Sequence, residues 1–356
     1  MKKSYLILAA VAATFAACSQ NEVITEITEQ EVPIGFETFS DLATKASTST
    51  NLEDYYTTFG VWGYKTYGGT ESAVMAHYKV IYNDDNGSGS ADWDYDGDHA
   101  PSGQYLKYWD KMASQYRFDA YAPYSANASI ANHAISIASG QYAANQNLQT
   151  TLSETQNTSV FSGDGTTSTT ASTDWMTATY TRTATAPVTG SPARMGTEVV
   201  PLAFSHILSK VVVVVKTKVN FPKTINITAI SLNNVYGTGA YDGSAWTTSG
   251  TAVSVSGATG SISDSDLTDA VNNDLYYAIE CLVMPQGTAA PKFSVTYTIG
   301  SDPEVFDVSQ VDITGISSFE AGTVYTITAT IGPDPINFDC TVTNWTTGDA
   351  GSVTVN

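Results

Sequence analysis

Apolar and polar residues alternate along this chain with a period of two. Val32, Ile34 and Phe36 alternate with Pro33, Gly35 and Glu37. Ile225, Ile227 and Ala229 repeat the pattern, as do Phe293 to Ile299 and Tyr325 to Ile331. Ile336, Phe338, Cys340 and Val342 follow, with Trp345 beyond them, and Val353 and Val355 form a last short alternation. Residues two apart share a face of a strand, so each run predicts a strand buried on one side. Phe59 and Val61 open an aromatic strand that continues to Tyr67. Val211 to Val215 is unbroken and bounded by Lys210 and Lys216, which predicts a strand buried on both faces. Sustained helical periodicity is missing after the first residues, and turn-forming clusters at 83–90 and 237–243 separate the runs. An all-β chain of β-sandwich architecture is expected. The valine strand ends near Asn220-Phe221-Pro222-Lys223. The domain boundary is placed there, within about 25 residues, giving an N-terminal sandwich over 46–221 and a C-terminal sandwich over 222–356. Two polar stretches, 84–103 and 153–173, read as long loops between strands.

The first residues follow a different rule. Lys2 and Lys3 precede an apolar run from Tyr5, which ends in Thr14-Phe15-Ala16-Ala17-Cys18. A basic start, a short apolar core and small residues before the cut describe a secretory signal over 1–17. The core falls short of the ~20 residues that span a bilayer. A cysteine directly after the small residues makes it a lipoprotein signal, with Cys18 as the acylated first residue. Several acyl chains at about 0.8 kcal/mol per buried methylene give a lasting membrane tether. Segment 18–45 is then a lipid-anchored arm carrying the first strand, Val32, Ile34 and Phe36. Lys45, before a polar tract at 47–51, is the candidate site for a trypsin-like cut.

Charge narrows the partners. The net charge is −20, and more acidic once Lys2 and Lys3 are gone, which argues against nucleic acid as a partner. Cys281 and Cys340 are far apart in sequence; two buried thiols at strand positions are preferred to a disulfide. The four histidines have no metal-ligand spacing. Asp92, Asp94, Asp96 and Asp98 match the first half of a calcium loop, but Gly103 stands where the twelfth-position Glu is needed, so a solvated acidic loop is the better reading. Ser205 and His206 are neighbours on a strand and point to opposite faces, which excludes them as nucleophile and base. Nothing in the chain calls for a cofactor or for enzymatic chemistry. Tyr55, Tyr56, Trp62, Tyr64, Tyr67, Trp93, Tyr95, Tyr105, Tyr108 and Trp109 crowd the first domain; as core they are structural, and as surface they could stack on sugar rings.

Ordered landmarks then carry a family likeness. They are Ile34-Gly35-Phe36, Phe59-Gly60-Val61-Trp62, Ala120-Tyr121-Ala122-Pro123-Tyr124 and Asp174-Trp175-Met176. Phe204-Ser205-His206-Ile207-Leu208, Leu282-Val283-Met284-Pro285-Gln286 and Val342-Thr343-Asn344-Trp345 follow. The chain resembles the fimbrillin family of Bacteroidetes, the Mfa-like and FimA-like pilins of type V pili. The resemblance implies two tandem transthyretin-like sandwiches, export to the outer membrane surface as a lipoprotein, and assembly with other fimbrillin subunits into an adhesive fibre. It also implies that proteolysis removes the first strand and that a neighbour's strand replaces it. The candidate donors lie within 333–356: Ile336, Phe338, Cys340 and Val342 with Trp345, or Val353 and Val355. The alternative is a monomeric surface lipoprotein that binds glycan or a host protein.

Overall fold

Most of the period-two runs become strands, with Val32 and Ile34 leading into the first and Ile336 into the last. The computed structural model describes residues 31–40, 52–54, 56–83, 92–95, 101–137, 147–155, 173–186, 191–236, 238–264, 274–287, 290–333 and 335–344. In chain order the first strands are β1 (Phe36–Ser40), β2 (Thr58–Tyr67), β3 (Thr70–Asn83), β4 (Asp92–Asp94) and β5 (Gln115–Ala122). A small hairpin, β6 (Ser129–Ala131) and β7 (Ala134–Ser136), precedes β8 (Met176–Thr183) and β9 (Val200–His206). Strands β1, β4, β3, β2, β5, β8 and β9 pair in that order into a closed barrel. All its pairings are antiparallel except the parallel β1–β9 pair that shuts the ring. Closure leaves the barrel no free sheet edge. Inside lie Phe59, Val61, Met75, Phe118, Leu202 and Phe204, the inward half of each alternation.

The second group begins with β10 (Ser209–Thr217), β11 (Ile225–Val235) and the hairpin β12 (Thr238–Tyr241) with β13 (Trp246–Ser249). It continues with β14 (Val253–Ser256), β15 (Gly260–Ile262), β16 (Tyr276–Val283), β17 (Lys292–Ile299), β18 (Val305–Asp312), β19 (Thr323–Ile331) and β20 (Asn337–Asn344). One sheet runs β16-β10-β19-β20 and the other β14-β11-β17-β18, with β15 also paired to β11. Val211, Val213 and Val215 from the first sheet meet Ile227, Leu232 and Val295 from the second in one core. This is the expected sandwich.

The valine run is buried on both faces, as its composition predicted. It does not close the first module, however. It is β10, an inner strand of the C-terminal sandwich, antiparallel to β16 and parallel to β19. Strands regroup between His206 and Ser209, ahead of the expected boundary. The residues around Pro222 read as a linker because they combine turn formers. They are the turn that carries the chain from one sheet to the facing one: the Phe221 N–H bonds the Lys218 carbonyl at 3.1 Å and Asn220 takes φ +59°.

From Val32 onward the described residues belong to one compact unit. Barrel and sandwich meet through a third apolar cluster that includes Trp62, Tyr121, Trp175, Leu208, Leu282 and Met284. The Trp246 indole N–H bonds the Ile207 carbonyl across this junction at 2.5 Å. Gly60 is required beside it, because a Cβ there would lie 2.2 Å from the Tyr121 ring.

Candidate functional site

Two strands were singled out by the sequence, and they occupy contrasting places. The first runs from Val32 into β1. Its inward side chains Ile34, Phe36 and Thr38 are only 1%, 6% and 3% exposed, and Val32 packs partly against the same core. Its backbone is bonded on both sides. The Trp109 N–H donates to the Val32 carbonyl at 3.0 Å, and the Ile34 N–H donates to the Lys107 carbonyl at 2.8 Å. The Tyr95 hydroxyl donates to the Ile34 carbonyl at 2.8 Å. On the other side the Val200 N–H donates to the Gly35 carbonyl at 2.9 Å. Phe36 to Ser40 then pair with Val200 to Phe204, while Phe36 also faces Trp93 of β4.

The Phe36 ring lies edge-on to three others, Phe59, Tyr95 and Phe118, at 5.6, 5.8 and 5.7 Å between centroids. Such edge contacts contribute about 0.5–1.5 kcal/mol each beyond area burial. Full burial of Ile34 and Phe36 stabilises by roughly 1.5–3 kcal/mol apiece. Without this strand the barrel would present an apolar slot between two backbone walls, residues 107–109 and β9. Unpaired walls of that kind invite another strand.

The second strand is β20. It pairs with β19 alone, from Thr323 opposite Asn344 to Thr330 opposite Asn337, and forms the edge of its sheet. Ile336, Phe338 and Cys340 point toward the sandwich core but are only partly buried, and Val342 is 52% exposed. Phe338 touches Phe293 edge-on at 5.4 Å. Trp345, Val353 and Val355 lie outside the described residues, as do Cys18 and Lys45.

Cys281 and Cys340 are both unpaired. They sit on β16 and β20, the two edges of a four-stranded sheet. Three strand spacings separate those edges, roughly 14 Å, whereas a disulfide needs Cα atoms within about 7 Å. Burial pushes the Cys340 thiol up to about 11 and the Cys281 thiol higher still.

The remaining candidates resolve into structure. Asp92 and Asp94 belong to β4, paired with Asn83 and Ile81 of β3, and the Trp93 between them is buried in the barrel. A paired strand is not the tight loop that gathers carboxylates on calcium. Asp96 and Asp98 lie outside the described residues, within which no cluster of three metal-ligand side chains occurs. Ser205 is exposed and His206 buried, on opposite faces as expected. Tyr56, Trp62, Trp93, Tyr95 and Trp109 are core residues; Tyr67, Tyr105 and Tyr108 are exposed, Tyr64 is half-buried, and Tyr55 lies outside the described residues.

Sequence reasoning missed the buried ionic groups. Lys210 Nζ meets Glu280 Oε1 at 2.7 Å between β10 and β16, and His206 Nδ1 meets Asp174 Oδ2 at 2.8 Å. Asp119 has no exposed side chain and takes two guanidinium nitrogens of Arg117, the Thr179 hydroxyl and His133. The signal was present in part. Glu280 interrupts an otherwise apolar strand, which signals a buried charge that must be paired.

Comparison with known proteins adds the following. A family model described as fimbrillin-like matches residues 44–345. A fimbrial protein from Bacteroides vulgatus is similar in structure at 16% identity and a TM-score of 0.51, over 88% of this chain and 100% of the other. A putative cell adhesion protein from Bacteroides uniformis is 20% identical, with a TM-score of 0.43, over 90% of this chain and 99% of the other. For the fimbrial anchor protein Mfa2 from Porphyromonas gingivalis the values are 14%, 0.34, 89% and 99%. No curated protein matches the sequence. At these identities the structural likeness speaks for the fold alone.

Proposed function

The chain belongs to the fimbrillin-like family, and from that premise we propose that it is a structural subunit of a surface fibre, assembled by strand exchange. The observation that carries the reading is the position of β1. It is the first described strand, it closes the barrel by its single parallel pairing, and it follows a segment that reads as a lipoprotein arm. Export attaches Cys18 to the outer membrane. A cut after Lys45 would free the arm with β1 and open the slot. A strand from a neighbouring subunit then fills it: main-chain pairing supplies affinity and alternate side chains supply register. Fimbrillin subunits are the partners, and adhesion to a host or bacterial surface is the outcome.

Deletion of residues 333–356 tests this. The fibre reading expects export to persist while high-mass material disappears. Unboiled surface protein should otherwise form ladders that collapse on boiling, because exchanged strands are kinetically trapped. A single band at monomer mass, boiled or not, would count against the fibre and favour a monomeric surface protein.

A further inference from the structure

The far end of the C-terminal sandwich holds a cavity that neither core packing nor strand pairing uses. β10 starts beside the junction, next to Leu208, and runs away from it, so the turn at 218–223 lies at the opposite pole. Three connections converge there: that turn, residues 299–304 between β17 and β18, and residues 332–333 after β19. The Gly300 N–H donates to the Thr224 carbonyl at 2.7 Å and ties the first two together. Gly300 takes φ +60° to make that approach. Between the three lies a pocket of about 250 Å³.

Its lining is of two kinds. Phe221, Pro222, Ile299, Phe306 and Pro333 are apolar, while Lys223 and Asp302 join them from exposed turns. Phe306 is a fixed plate. The Tyr297 ring stacks on it at 5.1 Å and 11°. Tyr297 is itself buried, and its hydroxyl donates to the Gly332 carbonyl at 2.6 Å. The two prolines hold their own φ and stiffen the wall. Asp302 is steadied by the Glu304 N–H, which donates to its Oδ1 at 3.1 Å. Stiff apolar walls with a few polar groups suit one small ligand.

We propose that this pocket binds a neutral hexose ring, the terminal unit of a glycan. An ionised Asp302 only accepts hydrogen bonds and Lys223 only donates them. Sugar hydroxyls do both, so one ring satisfies the two residues together. A pyranose also has a face made largely of C–H groups, which packs on the Phe306 plate as other apolar groups pack on an aromatic ring. Charge favours a neutral ligand. Lys223 and Asp302 balance each other, whereas an acidic ligand would meet a chain of net charge −20. The sugar-stacking ring thus lies in the sandwich, while most of the crowded aromatics of the barrel serve its core. Fibre and monomer would carry the same pocket, so the proposal does not depend on strand exchange.

Saturation-transfer NMR on the full chain, kept in a detergent without sugar groups, tests this. The probes are the methyl glycosides of glucose, galactose and mannose, both anomers of each, at millimolar concentration. At least one should receive saturation, strongest on the C–H protons of one ring face. Asp302→Asn keeps an acceptor for the Glu304 N–H, and it should weaken that binding roughly tenfold, as the loss of one good contact does. Phe306→Ala should weaken it at least as much. N-acetylneuraminic acid, an anionic sugar, should receive less saturation than the neutral probe that binds. Silence from every glycoside, stronger transfer to the anionic sugar, or binding indifferent to Asp302→Asn overturns the proposal. A single monomer band in the boiling test would remove the fibre and leave this pocket standing, so the two readings fail separately.

Discussion

The segments that enter β1 and β20, residues 33–38 and 335–340, share a proline, an isoleucine and a phenylalanine at matching positions and are held in opposite ways. β1 is gripped on both sides, by residues 107–109 and β4 on one flank and β9 on the other, and three aromatic rings enclose its phenylalanine. β20 leans on β19 alone and leaves Val342 half in solvent. Both place an isoleucine and a phenylalanine on the core face, so the difference in burial of those two lies in sheet position. A strand's hold on its domain depends on how many neighbours it has and whether the layer above it is closed.

Truncation of the shared phenylalanine should separate the two places most. Phe36→Ala is expected to cost about 3–5 kcal/mol, the usual range for a sealed aromatic residue. Phe338→Ala should cost roughly half as much, because its ring is only partly buried. Chemical denaturation of both variants measures this, and equal losses would remove the contrast. Lys210→Met tests whether the sandwich resists while its edge does not. Stranding the sealed Glu280 carboxylate of β16 should cost about 3–5 kcal/mol, whereas hydrogen exchange in the unsubstituted chain should find β20 amides opening well before those of the inner strand β10.

The two thiols give a gentler probe of the same edge. Burial holds the Cys340 thiol up at about 11, so its alkylation at neutral pH should run roughly a hundredfold below that of a free thiol. Cys281, sealed on the far edge, should stay unmodified until the sandwich unfolds. Peptide mass mapping after timed alkylation checks the order, and earlier labelling of Cys281 would contradict it.

The smallest effect concerns the slot's outer wall. The Lys65 ammonium at 2.8 Å, helped by the Met112 and Ala113 N–H groups, holds the Asp110 carboxyl below its usual range. A lowered folded-state pKa adds stability above the unfolded value of about 3.9 and gives it up as pH falls through the folded one. Asp110→Asn should therefore flatten the acid limb of the stability profile below about pH 4. The change should stay within about 1 kcal/mol, as both partners are a third exposed. Unchanged acid sensitivity would deny Asp110 this part in bracing the wall.

Much of this was legible from residue order. Period-two runs foretold the strands, the apolar valine run foretold burial on both faces, and the alternation of Val32, Ile34 and Phe36 foretold a single inward face. Grouping was less legible. Residues 218–223 carry the same turn formers whether they join two domains or two facing sheets, so their composition does not tell that β10 belongs with the C-terminal sheets. Acidic spacing at 92–98 could not reveal that Asp92 and Asp94 flank a core tryptophan within a paired strand. The likeness of 33–38 to 335–340 stands openly in the sequence. It acquires meaning only once one segment is seen sealed and the other at an edge, since neighbours in a sheet are contributed by distant parts of the chain.

The central claim is that β1 leaves and is replaced. N-terminal sequencing of the subunit taken from surface fibres measures this most directly. A start at or near Ala46, with β1 gone from polymerised material, is the predicted result. Fibres whose subunits still begin at an acylated Cys18 and retain residues 32–40 would contradict it.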